Sequence, residues 1–131
     1  MEVSEDPGVA CDVPRPQDLL HLDLHPRNVL MTSRGPVVID WANAANGPGQ
    51  ADVALMYVIA KTSRIDGPRI AAMVLGRFRD RFLSAFLAAA AETDFAQVLP
   101  AVAAWRKRDP NVTPSERAAV DRLLARGTLE R

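Results

Sequence analysis

Residues 19–31, LLHLDLHPRNVLM, place both of the chain's histidines, an aspartate and an asparagine inside one short apolar frame. A metal site, a catalytic loop and an ordinary strand end are the three structures that accommodate such a stretch. On a strand, His21, Asp23 and His25 alternate to one face and supply three ligands of an open zinc site, which is the chemistry of a metal-dependent hydrolase. Against that reading, Pro26 cannot continue a paired central strand, there is no third histidine, and Asn28 is a poor zinc ligand.

The order of the whole set suits different chemistry. His-x-Asp is followed five residues after the aspartate by Asn28, then by a hairpin, then by an apolar strand ending in Asp40. Transfer of a γ-phosphoryl group needs a carboxylate to orient or deprotonate the acceptor hydroxyl, and hard oxygen ligands to hold magnesium against the phosphates. Asp23 supplies the first, and Asn28 and Asp40 supply the second. Singly, an aspartate at a strand end or an asparagine in a loop is more often a turn former. The ordered set carries the reading.

Around this set the chain divides readily. Residues 1–16 hold acids, Gly8 and three prolines, and read as a flexible leader. Residues 28–31 and 36–39 read as the strands of a hairpin whose turn uses the positive-φ tolerance of Gly35. NAANGPGQ, residues 43–50, reads as a loop on the rim of the site, because its Asn, Gly and Pro favour turns over any ladder. From residue 51 the apolar period lengthens from about 2 to about 3.6. A nearly all-apolar, buried helix is expected first. An amphipathic helix follows over residues 68–91, its stripe of Ile70, Met73, Val74, Phe78, Phe82 and Phe86 assigned to the core. Asp94 is placed to cap a third helix, with Pro100 as a kink or fresh start. Thr113-Pro114-Ser115-Glu116 has the capping-box order, and Gly127 is expected to stop the last helix.

His21-Leu22-Asp23-Leu24-His25-Pro26-Arg27-Asn28, then Val38-Ile39-Asp40-Trp41, then Asp52-Val53-Ala54, resembles the aminoglycoside phosphotransferase and choline kinase family, relatives of the protein kinases. The resemblance covers residues 17–60 by motif. It implies an α+β, mostly α fold: a truncated protein-kinase-like C-terminal lobe over residues 17–131, with a catalytic loop at 21–28, one short β-hairpin at 28–40 and about four helices over 51–127. It further implies Asp23 as catalytic base, Asn28 and Asp40 as magnesium ligands, His21 and Asp52 as supports of the catalytic loop, and Mg2+ with ATP as cofactors. His25 is open between loop support and substrate contact, and Trp41 between packing and substrate stacking. The family often has glycine where this chain has Leu22.

A kinase-like enzyme also needs a β-rich lobe with a phosphate-covering loop and a lysine on the nucleotide. Only twenty residues precede His21, and the chain's lysines, Lys61 and Lys107, both follow it. The nucleotide-clamping lobe is therefore expected from elsewhere, through a companion chain, self-association or a longer gene product. Two functions follow: a phosphotransferase acting on a hydroxyl of a small molecule, weak or inactive as an isolated chain, or a non-catalytic remnant or interaction module of the same family. Sixteen basic residues balance sixteen acidic ones, which argues against a nucleic-acid partner. No apolar run reaches the roughly 20 residues of a membrane helix. The lone Cys11 and an N-terminus unlike a signal peptide suit the cytoplasm.

Overall fold

The computed structural model describes residues 18–90 and 94–129, with side chains to residue 127. The expected leader and Cys11 lie outside the described residues. A small β region precedes a helical body. Strand β1, Asp18–Leu20, pairs antiparallel with β4, Ala45–Gly47, while β2, Val29–Thr32, pairs antiparallel with β3, Gly35–Val38. Four helices follow: α1, Gln50–Thr62; α2, Arg69–Ala89; α3, Leu99–Arg108; and α4, Pro114–Leu129. The chain is thus α+β and mostly helical.

The β2–β3 hairpin has Val29 opposite Val38 and Thr32 opposite Gly35, leaving Ser33 and Arg34 to make the turn. Gly35 has φ of 112°, a conformation that glycine enters without steric cost. Pairing of β1 with β4 corrects the expectation that residues 43–50 form only a loop. Asp18, Leu19 and Leu20 face Gly47, Asn46 and Ala45, a contact between segments far apart in sequence that local turn chemistry cannot reveal. Gly47 is needed at that crossing, because a Cβ there would lie 2.6 Å from the Leu20 side chain.

Helix α1 is buried on nearly every side, as its nearly all-apolar composition requires. Ala51, Ala54 and Leu55 meet Leu20, Leu22, Val98 and Val102 in one cluster; Val58 meets Ala103 of α3 and Val120 of α4 in another. Met56 and Ala60 pack against Leu83 of α2. The core is therefore built around α1, and β1 and Leu22 are anchored on its first turns.

Helix α2 departs from expectation. Most of its apolar stripe is not core: Ile70 is 75% exposed, Met73 56% and Phe78 73%, Phe86 is partly buried, and Leu83, off the stripe, is the residue of this helix that is buried. Periodicity identifies an apolar face, but covering it takes a neighbouring element, and only the C-terminal half of α2 meets α1, through Leu83, Phe86 and Leu87.

Asp94 does not cap α3. It precedes a 3₁₀ turn, accepts a hydrogen bond from Gln97 Nε2 at 2.6 Å, and leaves α3 to start at Leu99 with Pro100 in its first turn. Helix α4 runs through Gly127 to Leu129, since one glycine near a helix end costs only about 1 kcal/mol.

The capping box of α4 is formed. Thr113 N–H donates to Glu116 Oε2 at 2.9 Å, and Glu116 N–H donates to Thr113 Oγ1 at 3.3 Å. The Thr113 backbone hydrogen bond, aided by the Thr113 hydroxyl and by Arg106, holds the Glu116 carboxyl below its ordinary value of 4.5, outweighing a partial desolvation that raises it. Because the folded value is depressed, the contribution of the charge is fully present above pH 4.5 and is lost as pH falls through the folded value. Glu116→Gln is expected to cost about 0.3–1 kcal/mol at neutral pH, because the capping box keeps its shape but the first turn of α4 loses its negative charge. In urea unfolding repeated at about pH 3, the gap to the unsubstituted chain should narrow; a gap of the same size in acid would show that charge plays no part.

Candidate active site

Between β1 and β2 the chain turns away from the sheet at His21 and returns through a 3₁₀ turn, Pro26–Asn28. Residues 21–25 are loop, so His21, Asp23 and His25 are not arrayed on one face of a strand. The loop is held at three places by groups that the sequence positions.

Its first anchor is Asp52, in the first turn of α1. The carboxylate accepts the His21 N–H at 2.7 Å through Oδ2 and the Leu22 N–H at 2.8 Å through Oδ1. A negative group there also suits the partial positive charge at a helix N-terminus. The clamp fixes Leu22 at φ of 58°, a left-handed conformation that costs a side-chain-bearing residue about 1 kcal/mol or more. Burial of the Leu22 side chain against Ala51, Leu55 and their neighbours offsets that cost.

The second anchor is His21, 2% exposed. Its Nδ1 accepts the Asp23 N–H at 3.2 Å, so that nitrogen carries no proton; Nε2 then donates to the Ile39 carbonyl at 2.9 Å. One imidazole thereby ties the loop before Asp23 to the residue before Asp40. The Trp41 ring lies tilted against this imidazole with centroids 4.7 Å apart, and Trp41 Nε1 donates to the Val38 carbonyl at 3.1 Å.

Asn28 is the third. Its Nδ2 donates to the Asp23 carbonyl at 2.9 Å, and its own carbonyl accepts the Ile39 N–H at 2.9 Å. Asp23, Asn28 and Ile39 are thus joined by a short chain of hydrogen bonds, with Asp40 the next residue. Asp40 has φ of 63°, and its exposed carboxylate has no partner among the described residues. His25 caps the 3₁₀ turn by accepting the Arg27 N–H through Nδ1 at 3.2 Å, and its Nε2 lies 3.7 Å from Asp23 Oδ2.

This arrangement bears on the zinc reading. With both ring nitrogens of His21 engaged by the protein, that imidazole has no lone pair to offer a metal. Among the described residues no group of three or more His, Cys, Asp or Glu is placed to hold one. A harder ion asks for a different donor set, since magnesium takes one or two carboxylates with phosphate oxygens and water. The free Asp40 carboxylate and the Asn28 Oδ1, which has no partner among the described residues, are donors of that kind.

Residues that the sequence does not connect with this loop also border it. Phe78, Phe82 and Arg79 of α2 meet His25 and Pro26 around a groove. The aromatic pair reads as core from its periodicity, and Arg79 as one of several arginines off the stripe. No local pattern brings them to the loop.

The family model of the phosphotransferase enzyme family matches residues 10–110, which include the loop, the hairpin and the first three helices. No curated protein and no solved structure matches the chain. Among the described residues no helix is long and apolar enough to cross a membrane.

Proposed function

The chain belongs to the phosphotransferase enzyme family, and from that premise we propose that it carries the base and the metal-holding residues of a site that moves the γ-phosphoryl group of ATP to a hydroxyl of a small molecule. The observation that carries the reading is the hydrogen-bonded path Asp23–Asn28–Ile39, which holds the proposed base and the residue before Asp40 in one fixed relation.

In this reading Asp23 orients the acceptor hydroxyl and takes its proton as the oxygen bonds to the γ-phosphorus and ADP leaves. Asn28 and Asp40 would hold magnesium. When bound, that ion would supply positive charge to offset the phosphates. His21 and Asp52 position the loop without touching either reactant. A nucleotide-clamping lobe with its lysine comes from a companion chain, a second copy or a longer chain. The exposed apolar face of α2, Ile70, Met73 and Phe78, equally supports a second reading, an interaction module of this family that binds a partner without catalysis.

Calorimetric titration of the chain with Mg-ATP tests the first. The phosphotransferase reading expects saturable binding, weakened by about tenfold or more in Asp40→Ala through loss of a carboxylate ligand. Equal affinity in the variant would remove Asp40 from the metal. Absence of saturable binding by the folded chain up to millimolar nucleotide would mean that the nucleotide-clamping lobe has to be supplied first, or that the chain is the interaction module.

A further inference from the structure

His25, which caps the 3₁₀ turn, and Asn28, which ends it, stand two and five positions after Asp23. Both present a nitrogen to the same oxygen of that carboxylate, His25 Nε2 at 3.7 Å and Asn28 Nδ2 at 3.4 Å from Oδ2. Oδ1 has no partner among the described residues. The two oxygens are therefore not equivalent, one turned to the protein and the other left for a reactant. The His25 and Asp23 side chains are 26% and 32% exposed, so a reactant can reach a carboxylate that the protein partly shields.

The His25 ring is fixed by local chemistry. Pro26 disfavours the helical region for the residue before it, and His25 is extended, with φ of −150° and ψ of 165°. Its carbonyl accepts the Asn28 N–H at 2.9 Å, and its Nδ1 accepts the Arg27 N–H at 3.2 Å. With the Nδ1 lone pair engaged, the neutral ring carries its proton on Nε2, the nitrogen that faces Asp23. A separation of 3.7 Å is longer than a formed hydrogen bond, and such contacts at catalytic groups shorten when reactants bind. Partly exposed pairs of this kind add little to stability. An aspartate side chain has three staggered χ1 wells, however, and a modest bias is enough to select one.

We propose that His25 is a positioning residue for Asp23: together with Asn28 it holds the carboxylate by Oδ2, so that Oδ1 faces the acceptor. Oδ1 then takes the hydroxyl proton as the acceptor oxygen bonds to the γ-phosphorus and the bond to ADP breaks. The role of Oδ1 rests on the phosphotransferase reading; the hold on Oδ2 does not.

Two substitutions separate what the ring does for the turn from what it does for Asp23. In His25→Asn the side-chain oxygen can still cap the turn at the Arg27 N–H, but the group is too short to reach Asp23. In His25→Gln the amide nitrogen extends as far as Nε2 does. Three-bond couplings to the Asp23 carboxyl carbon in the isotopically labelled chain read its χ1 populations, and long-range proton–nitrogen correlations locate the His25 ring proton. One dominant Asp23 rotamer and a proton on Nε2 are expected in the unsubstituted chain. His25→Asn should keep the thermal midpoint yet spread Asp23 over its wells, lowering the dominant population by about two- to threefold as three wells replace one. His25→Gln should restore the single rotamer. A ring proton on Nδ1, an averaged Asp23 in the unsubstituted chain, or an unchanged rotamer in His25→Asn would each overturn the proposal. So would averaging in both variants that tracks a lowered midpoint, which would leave His25 as a support of the turn alone. These measurements use neither nucleotide nor acceptor, so the two proposals fail separately. Absence of transfer by the complete enzyme with Asp23 held in one rotamer would remove the transfer reading and leave the hold on Oδ2; an averaged Asp23 beside intact transfer would remove the hold alone.

Discussion

Asp23→Asn is expected to lower ATP-dependent transfer by the assembled enzyme about 10²- to 10⁴-fold, the usual contribution of a positioned general base, while leaving the chain as stable as before. The asymmetry follows from how Asp23 is held. Its backbone makes the well-formed contacts, an N–H donated to His21 Nδ1 at 3.2 Å and a carbonyl accepting from Asn28 Nδ2 at 2.9 Å. The carboxylate makes only longer ones, 3.4 Å to Asn28 Nδ2 and 3.7 Å to His25 Nε2. Asparagine keeps the shape and the backbone contacts but cannot accept the hydroxyl proton. ADP formation in the presence of acceptor, measured beside the thermal midpoint, checks both halves. An unchanged rate would take Asp23 out of the proton path. A lowered rate with an equally lowered midpoint would reduce it to a structural residue.

The hairpin was legible because its determinants are local: two short β-branched or apolar runs and a glycine at the turn place it within a residue of where it forms. The α4 capping box was legible for the same reason, as was α1, whose apolar residues on all sides leave it nowhere but the interior. The expectations that failed are those settled by distant parts of the chain. Nothing within residues 43–50 announces that Asn46 and Gly47 pair with Leu19 and Asp18. The stripe on α2 is written plainly in the sequence, yet whether Phe78 is covered depends on what packs against it, and among the described residues little does. The groove escapes for the same reason, since His25 and Arg79 are separated by more than fifty residues and no periodicity links them. Leu22 is an intermediate case. A departure from the family's glycine is visible in the sequence, but the left-handed backbone that makes glycine suitable there is visible only in the fold.

Asp52→Ala is expected to destabilise the chain by about 2–5 kcal/mol, which exceeds any other single substitution in the loop's support. Two buried N–H donors, those of His21 and Leu22, would lose their acceptor where the residues are 2% and 4% exposed, and each unmatched donor costs about 1–3 kcal/mol. Loss of the negative charge from the first turn of α1 adds about 0.3–1 kcal/mol. The strained φ of Leu22 makes part of this loss conformational: without its clamp the loop has reason to relax toward an ordinary backbone, carrying His21 away from Ile39. Asp52→Asn discriminates between the contributions, because one amide oxygen can still accept one of the two N–H groups. Urea unfolding should rank the unsubstituted chain above Asp52→Asn and Asp52→Ala below both. If asparagine and alanine cost the same, the second oxygen is indispensable and the clamp acts as a unit. A loss below about 1 kcal/mol for alanine would mean that water replaces the carboxylate at both donors, and that the geometry of the loop has another source.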